Sequence, residues 1–315
     1  MSIFSSVVFQ IAVLFSFIFI GFVLSRFRIL SKEAAQVFSR LENRILMPAV
    51  VIKTFWSNCT VENIREKWIF IVYSTAILIF CVIAGFIISN FLGKTDFLKR
   101  IYRYSLAVSN FGFVGTAMVS GIYGGDSIEV FDYLMFTLPL NLFTYSIGIA
   151  WLMPDNQNKS ENKNSFSLKN FVNPIFISLF IGGGLGLLNV PQVDIIKRVV
   201  SDTASCMAPI AMILTGFVIG SYKLKSLFLQ WRTYIIALLR LVVFPSVAVL
   251  ALNFLNTPKE IVVATLCANA MPLGLNTVII PSAYGESPEA GASMALVSQL
   301  CAVVTIPVLF FLFIS

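Results

Sequence analysis

Apolar stretches follow one another along almost the whole chain, separated by short polar connections. Crossing a bilayer core takes about 20 mainly apolar residues. Ten runs reach that length: roughly 3–25, 33–56, 68–93, 101–123, 130–153, 170–189, 195–220, 228–255, 260–284 and 289–314. The pattern predicts an all-α polytopic membrane protein with ten transmembrane helices. The first run has no basic region ahead of it and no small-residue cleavage site, so it reads as a retained span rather than a signal peptide. Only the connection 154–169, rich in Asn, Lys and Ser, has linker composition. It divides the chain into a repeat over 1–153 and a second over 170–315, five runs in each.

The two halves resemble each other. Leu46-Met47-Pro48-Ala49 in the second run faces Met207-Ala208-Pro209-Ile210 in the seventh, and Pro48 and Pro209 stand 161 residues apart. Tyr123-Gly124 and Tyr284-Gly285 share that spacing, and Asn110 and Asn269 are 159 apart. A repeat of five helices is odd, so the second copy starts on the opposite side of the membrane and the two are inverted. Inverted repeats meet near the midplane, where transporters place their substrate sites.

Polar and helix-breaking residues interrupt two matching runs. In the fourth run the interruption is Ser109-Asn110-Phe111-Gly112-Phe113-Val114-Gly115-Thr116; in the ninth it is Asn269-Ala270-Met271-Pro272-Leu273-Gly274-Leu275-Asn276. Gly112 and Gly115 allow the fourth to unwind, and Pro272 cannot donate to the turn before it. Irregular backbone inside a membrane survives only where protein or a watery cavity satisfies it. The second half of each broken helix then offers free N–H groups and partial positive charge at mid-membrane, suited to a carboxylate. Asn110, Gly112, Gly115, Asn269, Pro272, Gly274 and Asn276 are therefore the candidate substrate-binding residues, with Pro48 and Pro209 shaping the opposite wall.

Composition narrows the chemistry. The chain is 58% hydrophobic and 12% charged, which leaves no room for a soluble catalytic domain. The net charge of +7 is topogenic. Loops one, three, five and seven hold Arg26, Arg28, Lys32, Lys94, Lys99, Arg100, Arg103, Lys159, Lys163, Lys169, Lys223, Lys225 and Arg232. The alternate loops hold Arg65, Lys67, Lys197, Arg198 and Lys259. The positive-inside rule puts the first set in the cytoplasm and both termini outside; no nucleic-acid partner is implied. Histidine is absent, and the cysteines (Cys59, Cys81, Cys206, Cys267, Cys301) lack metal-ligand spacing. Gly93-Lys94-Thr95 ends like a P-loop, but Ile88 stands where the earlier glycine is required. No catalytic pair is visible at depth, so an intramembrane enzyme is disfavoured.

Charges inside the runs are few. Arg240 lies near the centre of the eighth, where an unpaired arginine costs roughly 2.5–3.5 kcal/mol on insertion scales. It is expected to hold carbonyls of the broken ninth helix or, alternatively, to face the substrate anion. Lys53 is expected to snorkel. Arg40, Glu42 and Arg44, at i,i+2 spacing, do not share a helix face and are expected at the interface. Asp132 and Glu260 fall near outer ends, so a carboxylate proton relay or dedicated sodium cage is not evident. No cofactor is implied; a coupling ion, Na+ or H+, stays open, with Asn141, Thr144 and Gln299 as candidate sodium contributors.

These motifs resemble the auxin efflux carrier family, which includes plant PIN carriers and bacterial organic-acid permeases. The likeness rests on Leu46-Met47-Pro48-Ala49, on Asn110 to Gly115 with Tyr123-Gly124, and on Ala270-Met271-Pro272 with Asn276 and Tyr284-Gly285. One departure is Ala117, where family members often carry Pro. The resemblance implies crossing broken helices four and nine. It also implies a scaffold of helices 1, 2, 6 and 7, a transport unit of helices 3–5 and 8–10, a carboxylate substrate and a possible homodimer. The function expected is a secondary transporter or uniporter for mono- or dicarboxylates in the cytoplasmic membrane, working by elevator-like or rocking alternating access. A sodium-coupled bile-acid-type symporter and a non-transporting sensor of the same fold are the alternatives.

Overall fold

The computed structural model describes residues 3–31, 33–125, 127–153 and 173–314, and all regular secondary structure in them is helical. The linker 154–169, with Lys159, Lys163 and Lys169, lies outside the described residues, as does Lys32. In chain order the helices are α1 (Ile3–Arg26), α2 (Ala34–Leu41), α3 (Met47–Asn58), α4 (Val61–Leu92), α5 (Asp96–Ala107), α6 (Thr116–Tyr123), α7 (Ile128–Phe143) and α8 (Ile149–Leu152). There follow α9 (Pro174–Leu187), α10 (Asp194–Ser205), α11 (Met207–Gly220), α12 (Leu224–Phe228), α13 (Trp231–Leu238), α14 (Phe244–Phe254), α15 (Lys259–Asn269), α16 (Asn276–Ala283) and α17 (Glu289–Ile314).

Among the described residues, seven segments are long and apolar enough to cross a membrane: Phe4–Arg26, Val61–Leu92, Asp96–Tyr123, Ile128–Leu152, Asp194–Gly220, Trp231–Phe254 and Glu289–Ile314. The other three predicted runs are not among these segments, and the sixth begins in residues outside the described ones. The second is helical from Ala34 to Asn58 but carries Arg40, Glu42, Arg44 and Lys53. The sixth is described only as the 14 residues of α9. The ninth is split between α15 and α16.

The exterior and interior have the polarity expected in lipid. Ile79, Ile83, Phe86 and Ile87 of α4, and Val304, Phe311 and Leu312 of α17, are exposed. Ser105, Asn110, Asn141, Thr144, Arg240 and Asn269 are buried. With lipid outside, apolar burial drives little association, and close packing of small residues does more. α1 packs on α11, and α3 on α9. A Cβ on Gly21 would strike the Ile213 carbonyl, and one on Gly182 would meet Ile52. Gly220 backs onto Ser25, and Gly186 onto Cys59. These two contacts of the first interface recur in the second with both partners shifted by the 161 residues that separate Pro48 from Pro209.

Among the described residues, four π-turns interrupt the α-helices: Glu42–Leu46, Phe111–Gly115, Thr144–Gly148 and Leu239–Val243. Two of them precede a proline, Pro48 of α3 and Pro245 of α14. A proline inside a helix lacks its N–H and crowds the carbonyl four residues back, and a widened turn relieves that crowding.

The first π-turn overturns one expectation. Arg40 and Arg44 are exposed, but Glu42 is only 1% exposed. Spacing of i,i+2 separates the acid from its two basic neighbours; it leaves them outside and turns Glu42 inward. Near the start of α4, Lys67 pairs with Asp132 of α7 at 2.9 Å and joins those two helices.

Candidate functional site

The fourth run breaks at Val108, Ser109 and Asn110, between α5 and the π-turn that leads into α6. Val108 is extended, with φ −125° and ψ 125°, and Asn110 has φ −83° and ψ 47°. Gly112 and Gly115 therefore lie beyond the break, not in it. Gly115 is helical (φ −65°, ψ −46°), so what it supplies is the absence of a side chain. A Cβ there would strike the Tyr133 hydroxyl and the Cys267 carbonyl. At Gly112 a Cβ would meet nothing within 4 Å. The ninth run is irregular for longer, from Ala270 to Leu275.

The two breaks touch. The Asn110 N–H donates to the Pro272 carbonyl at 2.8 Å, and the Ser109 hydroxyl donates to the Ala268 carbonyl. The Tyr133 hydroxyl of α7 lies 2.8 Å from the Phe111 carbonyl and 3.2 Å from that of Cys267. From α17, the Ser298 hydroxyl oxygen accepts the Leu273 N–H at 2.9 Å. Backbone groups freed by the breaks thus find partners inside the protein, as groups cut off from water must.

Beside the contact lies a cavity of about 40 Å³. Ser109, Asn110, Gly112, Gly274 and Asn276 line it from the breaks, and Tyr104, Asn141, Thr144, Tyr145 and Met47 from the surrounding helices. Asn276 donates to the Tyr104 hydroxyl at 2.8 Å, which orients its amide. Asn141 donates to the Thr137 carbonyl at 3.0 Å. The Thr144 hydroxyl has no hydrogen-bond partner among the described residues. Neither the turn begun at Asn110 nor α16 carries a side-chain N-cap. The first N–H groups of a helix have no partner within it.

Of the sequence-predicted residues, Asn110, Gly112, Gly274 and Asn276 are brought together, with Asn141 and Thr144. Gly115 and Pro272 build the crossing without lining the cavity. Gln299 is buried on α17, and its side-chain oxygen has no partner among the described residues. Pro48 and Pro209 lie near the starts of α3 and α11. Asn269 faces elsewhere: its oxygen accepts from Arg240 at 3.3 Å, and its amide donates to the Thr265 carbonyl.

Arg240, 0% exposed, reaches Asn269 at the end of α15, the Leu106 carbonyl in the last turn of α5 (3.5 Å) and the Cys81 sulfur (3.5 Å). It therefore sits at the C-terminal ends of both first half-helices, where partial negative charge collects. Arg240 is not part of the cavity wall.

A larger cavity of about 1140 Å³ opens between the end of α1, the start of α2, the loop after α11 and the far side of α16. Arg26, Arg28, Gln36, Tyr222 and Ser282 contribute to its lining. α16 stands between the two spaces, with Asn276 on one and Val278, Ile279 and Ser282 on the other.

Sequence reasoning missed Tyr104 and Tyr145, and it put the buried Glu42 at the interface. Tyr145 adjoins the predicted Thr144 and donates to the Asn43 side chain at 3.1 Å, joining the second run to the fifth. The spacing of Tyr104 and Asn276, 172 residues apart, offered no local signal. No curated protein matches the chain. The model of the membrane transport protein family, that of the auxin efflux carriers, matches residues 6–310. A match over nearly the entire chain makes this polytopic membrane protein a member of the auxin efflux carrier family.

Proposed function

We propose that the protein is a secondary transporter or uniporter that moves small organic anions, mono- or dicarboxylates, across the cytoplasmic membrane. The observation that carries this reading is the cavity where the two breaks meet, bordered by two uncapped helix starts and the amides of Asn110 and Asn276. Such a site offers hydrogen-bond donors and partial positive charge to an anion without holding a fixed countercharge. Its volume of about 40 Å³ suits a carboxylate headgroup but not a complete organic acid, so substrate entry requires the walls to part.

The reading includes ten spans in two inverted five-helix repeats, joined by the segment 154–169. The 161-residue correspondence between the α1–α11 and α3–α9 interfaces supports it, because inverted copies reproduce each other's contacts. Helices 1, 2, 6 and 7 form the scaffold in this picture, and helices 3–5 and 8–10 move past it in an elevator-like step. The Lys and Arg distribution supports an orientation with both termini outside. The larger cavity, with Arg26 and Arg28, then faces the cytoplasm and draws anions toward α16.

The test is charge movement and radiolabel exchange in proteoliposomes challenged with a panel of mono- and dicarboxylates. Carboxylate-specific flux is expected. Neither current nor exchange across the panel, from protein shown to be folded, would remove this reading in favour of a sensor.

A further inference from the structure

We propose that Glu42 is a proton-binding site, and that proton uptake there accompanies closure of the helices around the crossing cavity. This rests on the transport reading above, in which helices of the fifth span move against the second.

Glu42 is 1% exposed, and neither carboxyl oxygen has a hydrogen-bond partner among the described residues. It lies one layer behind the cavity. Its backbone carbonyl accepts the N–H of Met47, which lines that cavity, and its carboxyl is within electrostatic range of Tyr145, which lines it too. The neighbouring Asn43 accepts the hydrogen bond of Tyr145. Glu42 is thus buried where its π-turn packs on α9, α10 and α11, next to the seam where the Asn43–Tyr145 hydrogen bond ties the second span to the fifth and must break if one moves.

The charges on the elements packed around this π-turn do not compensate it. Arg40 of α2 and Arg44 of the turn itself are exposed on the other face. Lys53 of α3 is 11 residues further on, about 16 Å along a helix, beside Trp56, Ser57, Gln192 and Lys197. α9 and α11 carry no titratable side chain. On α10, Asp194, Lys197, Arg198 and Asp202 are all exposed, and Arg198 pairs with Asp202. Among the described residues, Tyr145 is the remaining titratable group at hand. Burying an ionised carboxylate without a partner costs several kcal/mol even after relaxation, so this packing accepts the neutral acid. When the seam opens, water solvates the carboxylate and the proton leaves to it. On closing, the carboxylate takes one proton back from that water, and only an O–H bond is made or broken. Through this cycle, proton activity biases the conformer that encloses the cavity.

The experiment is hydrogen–deuterium exchange on the full-length protein in lipid nanodiscs, following the backbone of 34–58 and 128–152 from about pH 5.5 to about pH 8, after correction for intrinsic exchange. One linked proton changes the open population by up to about tenfold per pH unit. Wild type is expected to lose protection in both segments as pH rises. Glu42→Gln and Glu42→Leu, which keep a neutral side chain, are expected to stay protected throughout. A wild type with no pH response, or a Glu42→Gln protein with the wild-type response, overturns the proposal. So does failure of both neutral variants to fold, since this packing is argued to favour neutrality. Carboxylate flux measured alongside separates the two readings. Flux with no pH-linked exchange leaves the carrier and removes the proton site. A pH response abolished by Glu42→Gln, without any flux, upholds the proton site and removes the carrier.

Discussion

The crossing has two electrostatic faces, and the chain treats them differently. On one, the C-terminal ends of α5 and α15 converge on Arg240, a buried cation that reaches Leu106 and Asn269. On the other, the starts of α16 and of the turn leading to α6 converge on a cavity lined by Asn110 and Asn276. Partial negative charge is met by a charged residue of the protein; partial positive charge faces a cavity lined by uncharged side chains. The difference separates a structural ion site from a candidate substrate site within one motif. It also explains why Arg240, the most conspicuous charge in the sequence, belongs to the crossing and not to the cavity.

The largest expected effect falls on the frame that both faces share. Gly115→Val puts a side chain against the Tyr133 hydroxyl and the Cys267 carbonyl. The carbonyl belongs to α15, so relief requires the two broken spans to part. The expected loss exceeds about 3 kcal/mol, the upper end of ordinary overpacking, seen as failure to yield monodisperse protein. A Gly115→Val protein with wild-type thermal stability would show that the crossing is looser than these contacts imply.

Next comes the filled face. Arg240→Ala leaves a void and strips a donor from the Leu106 carbonyl and the Asn269 side chain, at a cost of about 3 kcal/mol. Apparent affinity for a carboxylate should stay unchanged in the fraction that folds. A tenfold weaker affinity at unchanged stability would give Arg240 to the substrate and undo the distinction between the faces.

The open face should respond in the opposite sense. Asn276→Ala and Asn110→Ala each remove an amide from the cavity wall, and each should weaken carboxylate transport about tenfold, near 1.4 kcal/mol, with melting temperature barely moved. Asn269→Ala, which acts through Arg240, should lower stability more than affinity. Full transport with unchanged affinity in both Asn110 and Asn276 variants would move the site elsewhere.

How much of this was legible in the sequence follows from how local each signal is. Apolar runs and a matched pair of Asn/Gly/Pro interruptions are local, and they located the long apolar helices and both breaks. The burial of Glu42 was not legible, because it depends on the turn through which the helix feeds into Pro48. Nor was the separation of Asn269 from Asn276, although both stand in one motif. Asn269 ends α15 and meets Arg240, whereas Asn276 begins α16 and meets Tyr104. Six irregular residues between them reverse the dipole end that each one serves, and that reversal exists only after the chain has broken.

The smallest expected effect concerns Gly112, three residues from Gly115 in the same π-turn. Its backbone is not in the left-handed region, and an added Cβ meets nothing within 4 Å. Gly112→Ala should therefore be neutral or stabilising by up to about 1 kcal/mol, since the unfolded chain loses freedom. The new methyl would occupy part of a cavity of only about 40 Å³. A carboxylate competing for that space should bind about fivefold more weakly, the equivalent of roughly 1 kcal/mol of crowding. Unchanged stability with weaker apparent affinity would locate the ligand against this glycine. Unchanged affinity would mean that the headgroup lies nearer to Asn276 and α16. The same small side chain missing at two neighbouring positions would then serve two ends: closeness of helices at Gly115 and room for a ligand at Gly112.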